Sequence, residues 1–130
     1  MNDDSALQPL LSEILELGST YAEAGWNGEG AQGISPLAVE RAVAFLRALP
    51  DDLPLPEIAP EPDGSIAFDW MRSRTQLFSV SVGTNDRLAY AWLDGAQSGH
   101  GVEEFQMMTI PRRLLDEISG TFRALRRPLR

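Results

Sequence analysis

Three glycines at G-x-G-x-x-G spacing, Gly28, Gly30 and Gly33, stand just ahead of a helix start in the stretch Trp26-Asn27-Gly28-Glu29-Gly30-Ala31-Gln32-Gly33-Ile34-Ser35-Pro36. In a dinucleotide-binding turn such glycines bring backbone N–H groups and the positive end of a helix onto a pyrophosphate. They do so between a strand and a helix, with an acid about twenty residues further on for the ribose. Here the preceding element reads as a helix, the Gly-Lys-Ser/Thr of a phosphate loop is missing, and Glu29 inside the loop would repel an anion. The glycines are better explained as a tight, positive-φ path between two helices, with Trp26 packing its ring into the core to anchor the loop.

His100, the single histidine, lies in Ser98-Gly99-His100-Gly101 near Asp94, Glu103 and Glu104, a stretch that reads as a flexible loop in which a histidine–carboxylate acid/base pair is conceivable. No G-x-S-x-G elbow supplies a nucleophile beside it. Asp69 falls opposite the apolar positions Ile66, Phe68 and Trp70 and close to Arg72 and Arg74, which reads as a solvent-side carboxylate in a cross-strand ion pair. No second acid pairs with it for hydrolysis. With no cysteine and one histidine the common zinc constellations cannot be assembled in one chain. The residues therefore supply no catalytic set, no metal set and no cofactor motif.

Trp26-Asn27-Gly28-Glu29-Gly30-Ala31, then Ile34-Ser35-Pro36 opening a helix, then Pro60-Glu61-Pro62-Asp63-Gly64-Ser65-Ile66 leading to Asp69-Trp70, resembles an uncharacterised group of small bacterial proteins with a W-N/D-G-x-G-A loop and a P-x-P-D-G hairpin. The likeness covers about residues 20 to 120. It implies a shared fold and carries over no activity.

The elements that position these residues follow from periodicity. Leu7, Leu10, Leu11, Ile14, Leu15 and Leu17 form the stripe of a first helix with Gly18 as its stop. Ser35-Pro36 caps a second, in which Val39, Ala42, Val43, Leu46 and Leu49 keep helical spacing up to Pro50. The proline-rich stretch 50–62 reads as an extended connection with a short edge strand at Glu57 to Pro60. After Asp63-Gly64 the period changes to two: Ile66, Phe68, Trp70; Phe78, Val80, Val82; Leu88, Tyr90, Trp92. A last strand is expected from Val102 to Met108, and a third helix after Pro111 with Leu114, Leu115, Ile118, Phe122 and Leu125 inward. The order α-α-β-β-β-(β)-α predicts a single α+β domain over 1–130, an antiparallel meander of three to five strands covered by three helices.

Charge then narrows the partners. The formal net charge is −8 with arginine as the only strong base; residues 1–110 carry 17 acids against 5 arginines, a net of −12, while 111–130 carry 2 acids against 6 arginines, a net of +4. The arginines of the basic tail, 123–130, suit the last turn of a helix. An acidic body disfavours nucleic acid and anionic membranes and favours a basic protein surface. No apolar run reaches the ~20 residues of a membrane span, and acids occupy the N-terminus where a signal peptide has bases, so a cytoplasmic protein is expected. The leading expectation is a small acidic, non-enzymatic protein-binding module, of the inhibitor, immunity, antitoxin or phage anti-defence kind. Its candidate binding residues are Trp26, Glu29, Asp69, His100, Glu103 and Glu104. The alternatives are a small enzyme or ligand-binding protein using the glycine loop and His100, which a cleft holding Glu29, Asp69 and His100 together would favour, and a homo-oligomeric structural protein such as a homodimer, which a large apolar patch on the free face of the sheet or a self-docked tail would favour.

Overall fold

The computed structural model describes residues 4–106 and 109–126. Met107 and Met108, and residues 127–130 of the basic tail, lie outside the described residues. A 3-10 turn, Asp4–Ala6, leads into α1 (Gln8–Thr20) and α2 (Pro36–Ala48); β1 (Glu57–Pro60), β2 (Ile66–Ser73), β3 (Gln76–Val82), β4 (Arg87–Asp94) and β5 (Gln97–Glu104) follow, and α3 (Arg112–Arg126) closes the order. The five strands lie side by side in chain order and every neighbouring pair is antiparallel. The α+β meander with three helices is thus the architecture that the patterning dictates, with the short edge strand at Glu57–Pro60 in place.

Local chemistry explains the helix ends. Ser35 is extended (φ −86°, ψ 158°), its hydroxyl accepts the Ala38 N–H at 3.2 Å, and Pro36 takes the first helical position where no N–H is needed. In α1, Leu11, Ile14 and Leu17 are buried, whereas Leu15 is 60% exposed and stands outside the stripe. The helix does not stop at Gly18. It continues to Thr20, where the Tyr21 N–H closes on Leu17 O at 2.9 Å. A Cβ on Gly18 would come within 2.5 Å of Val39 Cγ2, so this glycine is kept for the close approach of α1 to α2, not for a turn.

On one face of the sheet the rows Phe68–Val80–Tyr90 and Trp70–Phe78–Trp92 run across β2, β3 and β4. Phe45 of α2 sits over them, its ring centroid 4.8 Å from Phe68, 6.5 Å from Trp70 and 5.9 Å from Phe105. The Trp70 indole N–H donates to Pro54 O at 2.7 Å and so ties the proline-rich connection to the core.

The last strand departs from expectation. It runs Gln97–Glu104 instead of Val102 to Met108, so His100 belongs to a strand and not to a flexible loop. The reason is that its core-facing positions are Gly99 and Gly101. A Cβ there would lie 2.5 Å from Trp92 Cζ2 or from Tyr90 Oη, so rings from β4 cover the bare backbone and the apolar alternation is missing from β5 itself. The second face of the sheet carries the rows Ala59–Ala67–Ser81–Ala89–Val102 and Glu57–Asp69–Ser79–Ala91–His100. The buried side chains of the helices join the cluster on the first face, and Ala89, Ala91 and His100 on the second are exposed.

Candidate functional site

The two turn motifs, far apart in sequence, meet in space. The Gln32 N–H donates to Pro62 O at 2.7 Å, and Gly64 (φ +89°) stands so close that a Cβ would lie 3.1 Å from Gly33 O. Gly33 is itself a close-approach glycine and has no positive φ; an added Cβ would meet Ala22 O at 2.1 Å. Gly25, Gly28 and Gly30 do hold positive φ, at 80°, 76° and 85°. Asn27 organises the loop: its side-chain oxygen accepts the N–H groups of Glu29 at 2.8 Å and Ala31 at 3.1 Å.

These bonds decide what the loop can do. The N–H groups of Gly25, Gly28, Glu29, Ala31, Gln32 and Ile34 all have acceptors within the protein. A phosphate reaching any of these six N–H groups would have to displace its acceptor, beside the Glu29 carboxylate. Thermal unfolding curves recorded with millimolar ATP, GTP or NAD are therefore expected to coincide with the curve of the protein alone. Occupancy at one hundred times the dissociation constant would add about 2.7 kcal/mol of stability, and a saturable rise in Tm abolished by Gly30→Val in a still folded protein would contradict this.

Trp26 does not reach the core. It is half-buried and stands outside the core cluster, with its indole N–H donating to Gln32 O at 2.8 Å and its ring edge on Tyr21 at a centroid distance of 4.8 Å. It clamps the loop on itself through these two contacts. Trp26→Ala should cost about 1–2 kcal/mol, one hydrogen bond and one aromatic pair. Urea unfolding measures this, and a loss as large as that of a fully buried tryptophan would contradict the clamp role.

In the other motif, Ser65 is buried at 6% exposure, and its hydroxyl lies within hydrogen-bond reach of both Glu61 Oε1, at 2.8 Å, and Asp63 Oδ1. The Ser65 N–H also donates to Asp63 Oδ1 at 3.0 Å. The hydroxyl has one proton to give, so with the Ser65 N–H already on Asp63 it is free to hold Glu61, and Ser65 thereby positions both carboxylates at the sheet end. The pairing of Ile66 with Val82 and of Arg87 with Glu104 brings the β3–β4 turn and the end of β5 to that same end. The segments gathered there, 21–34, 61–65, 83–88 and 102–105, carry Glu23, Glu29, Glu61, Asp63, Asp86, Glu103 and Glu104 against Arg87 alone. A shallow cleft of about 240 Å³ between Asp63, Ser65, Asn85 and Arg87 opens beside them.

Of the residues expected to bind, Glu29, Glu103, Glu104 and the loop clamp Trp26 come to this end. Asp69 and His100 do not. Asp69 sits mid-strand on the second face, between Glu57 and Ser79, and accepts a hydrogen bond from the Ser79 hydroxyl, so its cross-strand partner is a hydroxyl where an ion pair was expected. His100 lies three strands away in the same row, about 14 Å at the usual strand spacing. Asp94 pairs with Gln97 at the far turn, and Glu103 alternates onto the other face. The clefts beside Phe78 and Trp92, beside Gly33 and Val39, and beside Ser65 and Arg87 hold none of Glu29, Asp69 and His100. Among the described residues no three metal-ligating side chains stand together, and no helix is long and apolar enough to cross a membrane.

Sequence reasoning missed Glu23, Glu61, Asp63 and Asp86. The Pro-Asp-Gly-Ser turn was readable, but its docking onto the glycine loop is a long-range contact with no local signature. No protein-family model, curated protein or solved structure matches the chain.

Proposed function

We propose that this chain is a small non-enzymatic protein-binding module that presents the acidic end of its sheet to a basic surface of a partner, in the manner of an inhibitor, immunity protein or antitoxin. The observation that carries the reading is that, among the described residues, turns distant in sequence bring seven carboxylates and one arginine to the same end of the sheet. Carboxylates held on a rigid scaffold can take the place of phosphates and steer association by long-range attraction. The scaffold here is rigid in a specific sense: Asn27 and Ser65 tie down the two turns that carry Glu29, Glu61 and Asp63. A cytoplasmic site of action belongs to the same reading.

The test compares two variants of equal charge. One neutralises Glu29, Glu61, Asp63 and Asp86 to the corresponding amides; the other neutralises Glu13, Glu16, Glu40 and Asp51, which are exposed elsewhere. A partner captured by the wild-type chain should be lost by the first variant and kept by the second. Equal retention by both variants would leave the acids a solubilising role alone.

A further inference from the structure

The two edges of the sheet are unequal. β1 is four residues long, ends in Pro60, follows Pro54 and Pro56, and has α1 packed against it. Short strands, prolines and a covering helix are the usual means by which an edge is closed to further pairing. Among the described residues β5 has none of them. It is eight residues long and contains no proline; its first six residues carry no acid or arginine, and the main helix contacts are with β1, β2 and β3. Its side chains are exposed or half-exposed throughout, with Val102 at 56%.

We infer that β5 pairs antiparallel with β5 of a second copy of this chain, across a two-fold axis perpendicular to the sheet at His100. Such an axis keeps the helix-covered faces of both copies on one side, so residues opposite one another must share a face, and the register must be centred on a residue. With His100 on the axis, Gly99 meets Gly101 of the second copy, Ser98 meets Val102 and Gln97 meets Glu103. An acid lies opposite an amide and no like charges are opposed. The glycine match matters on the covered face. The Trp92 ring lies over Gly99 and the Tyr90 hydroxyl over Gly101, so the half-buried Trp92 of one copy comes beside Tyr90 of the other across the seam. A foreign strand with side chains at those positions would meet the rings; a second copy brings glycine. Of the acidic end the pairing takes in Glu103 alone and leaves Glu29, Glu61, Asp63 and Asp86 outside it, so this inference does not rest on the proposed function.

Sedimentation velocity over a concentration series from low micromolar to several hundred micromolar, combined with amide hydrogen exchange, tests the pairing. The expected result is a mass that rises from the 14.3 kDa of one copy towards twice that value, with exchange in 97–103 slowing as concentration rises and exchange in 57–60 unchanged. His100→Lys, at an exposed position, puts two ammonium groups side by side on the axis and should weaken association severalfold. Met71→Arg, on the uncovered face of β2 and 62% exposed, should not. A single-copy mass at every concentration overturns the inference. So does association that survives His100→Lys and is lost with Met71→Arg.

Discussion

Trp70→Ala is expected to lower the free energy of unfolding by about 3–5 kcal/mol, the usual cost of removing a large side chain from a packed interior. The ring is 2% exposed, lies in the row Trp70–Phe78–Trp92 and meets Phe45 edge-on. Two losses combine: the cavity left under α2, and the carbonyl of Pro54, which loses the indole N–H at 2.7 Å. Trp70→Phe separates them. It keeps most of the apolar volume, and its smaller cost, about 1–2 kcal/mol, reports mainly the unpaired carbonyl. Urea denaturation of both variants measures the difference. A near-neutral Trp70→Ala would mean that the proline-rich connection and α2 do not close over the sheet as described.

Gly33→Ala should be nearly as damaging, for the opposite reason. The new Cβ would sit 2.1 Å from Ala22 O and 2.8 Å from Ala22 C, and these are backbone atoms that no side-chain rotation can clear. The loop must move, which strains the Gln32–Pro62 bond and the Ile34–Tyr21 bond that hold it between α1 and the β1–β2 turn. A cost of about 3 kcal/mol or more is expected, at the upper end of overpacking effects. Gly28→Ala is the control, because its Cβ meets nothing within 4 Å and only the positive φ of 76° is penalised, by about 1 kcal/mol. Thermal unfolding of the two variants orders them, and a Gly33→Ala protein as stable as Gly28→Ala would show that the loop does not pass Ala22 at this distance.

These two residues mark the boundary of what could be read in the sequence. Trp70 belongs to an alternating run, and alternation is a local signal, so its strand, its face and its burial followed from neighbours two positions away. Ser35-Pro36 announced α2 in the same local way, and the prolines flanking Glu57–Pro60 correctly demoted that strand to an edge. Gly33 belongs to a glycine pattern that suggested positive φ, but at this position the constraint comes from Ala22, on the far side of the loop. The same holds for Gly18: a glycine near a helix end suggests a stop, and here Val39 of the next helix is the reason for it. The glycines of β5 hid a strand because their covering rings are supplied by β4. Trp26 suggested a core anchor by size alone, and its place outside the core depends on a loop path that no spacing encodes. The candidate site was legible to the same degree. Glu29, Glu103 and Glu104 were identified from charge, whereas their convergence with Glu61, Asp63 and Asp86 arises from strand register and from the docking of one turn on another.

The association rate of the captured partner, followed by stopped-flow across a salt series, tests the docking claim most directly. As ionic strength rises from 0.1 M towards 1 M the Debye length shrinks from ~10 Å to ~3 Å, and long-range attraction fades with it. The account predicts a rate that falls steeply over this range while dissociation changes little, and a much flatter dependence once Glu29, Glu61, Asp63 and Asp86 are neutralised. A partner whose association is indifferent both to salt and to those four acids would contradict it, and would move the binding surface to the uncovered face of the sheet.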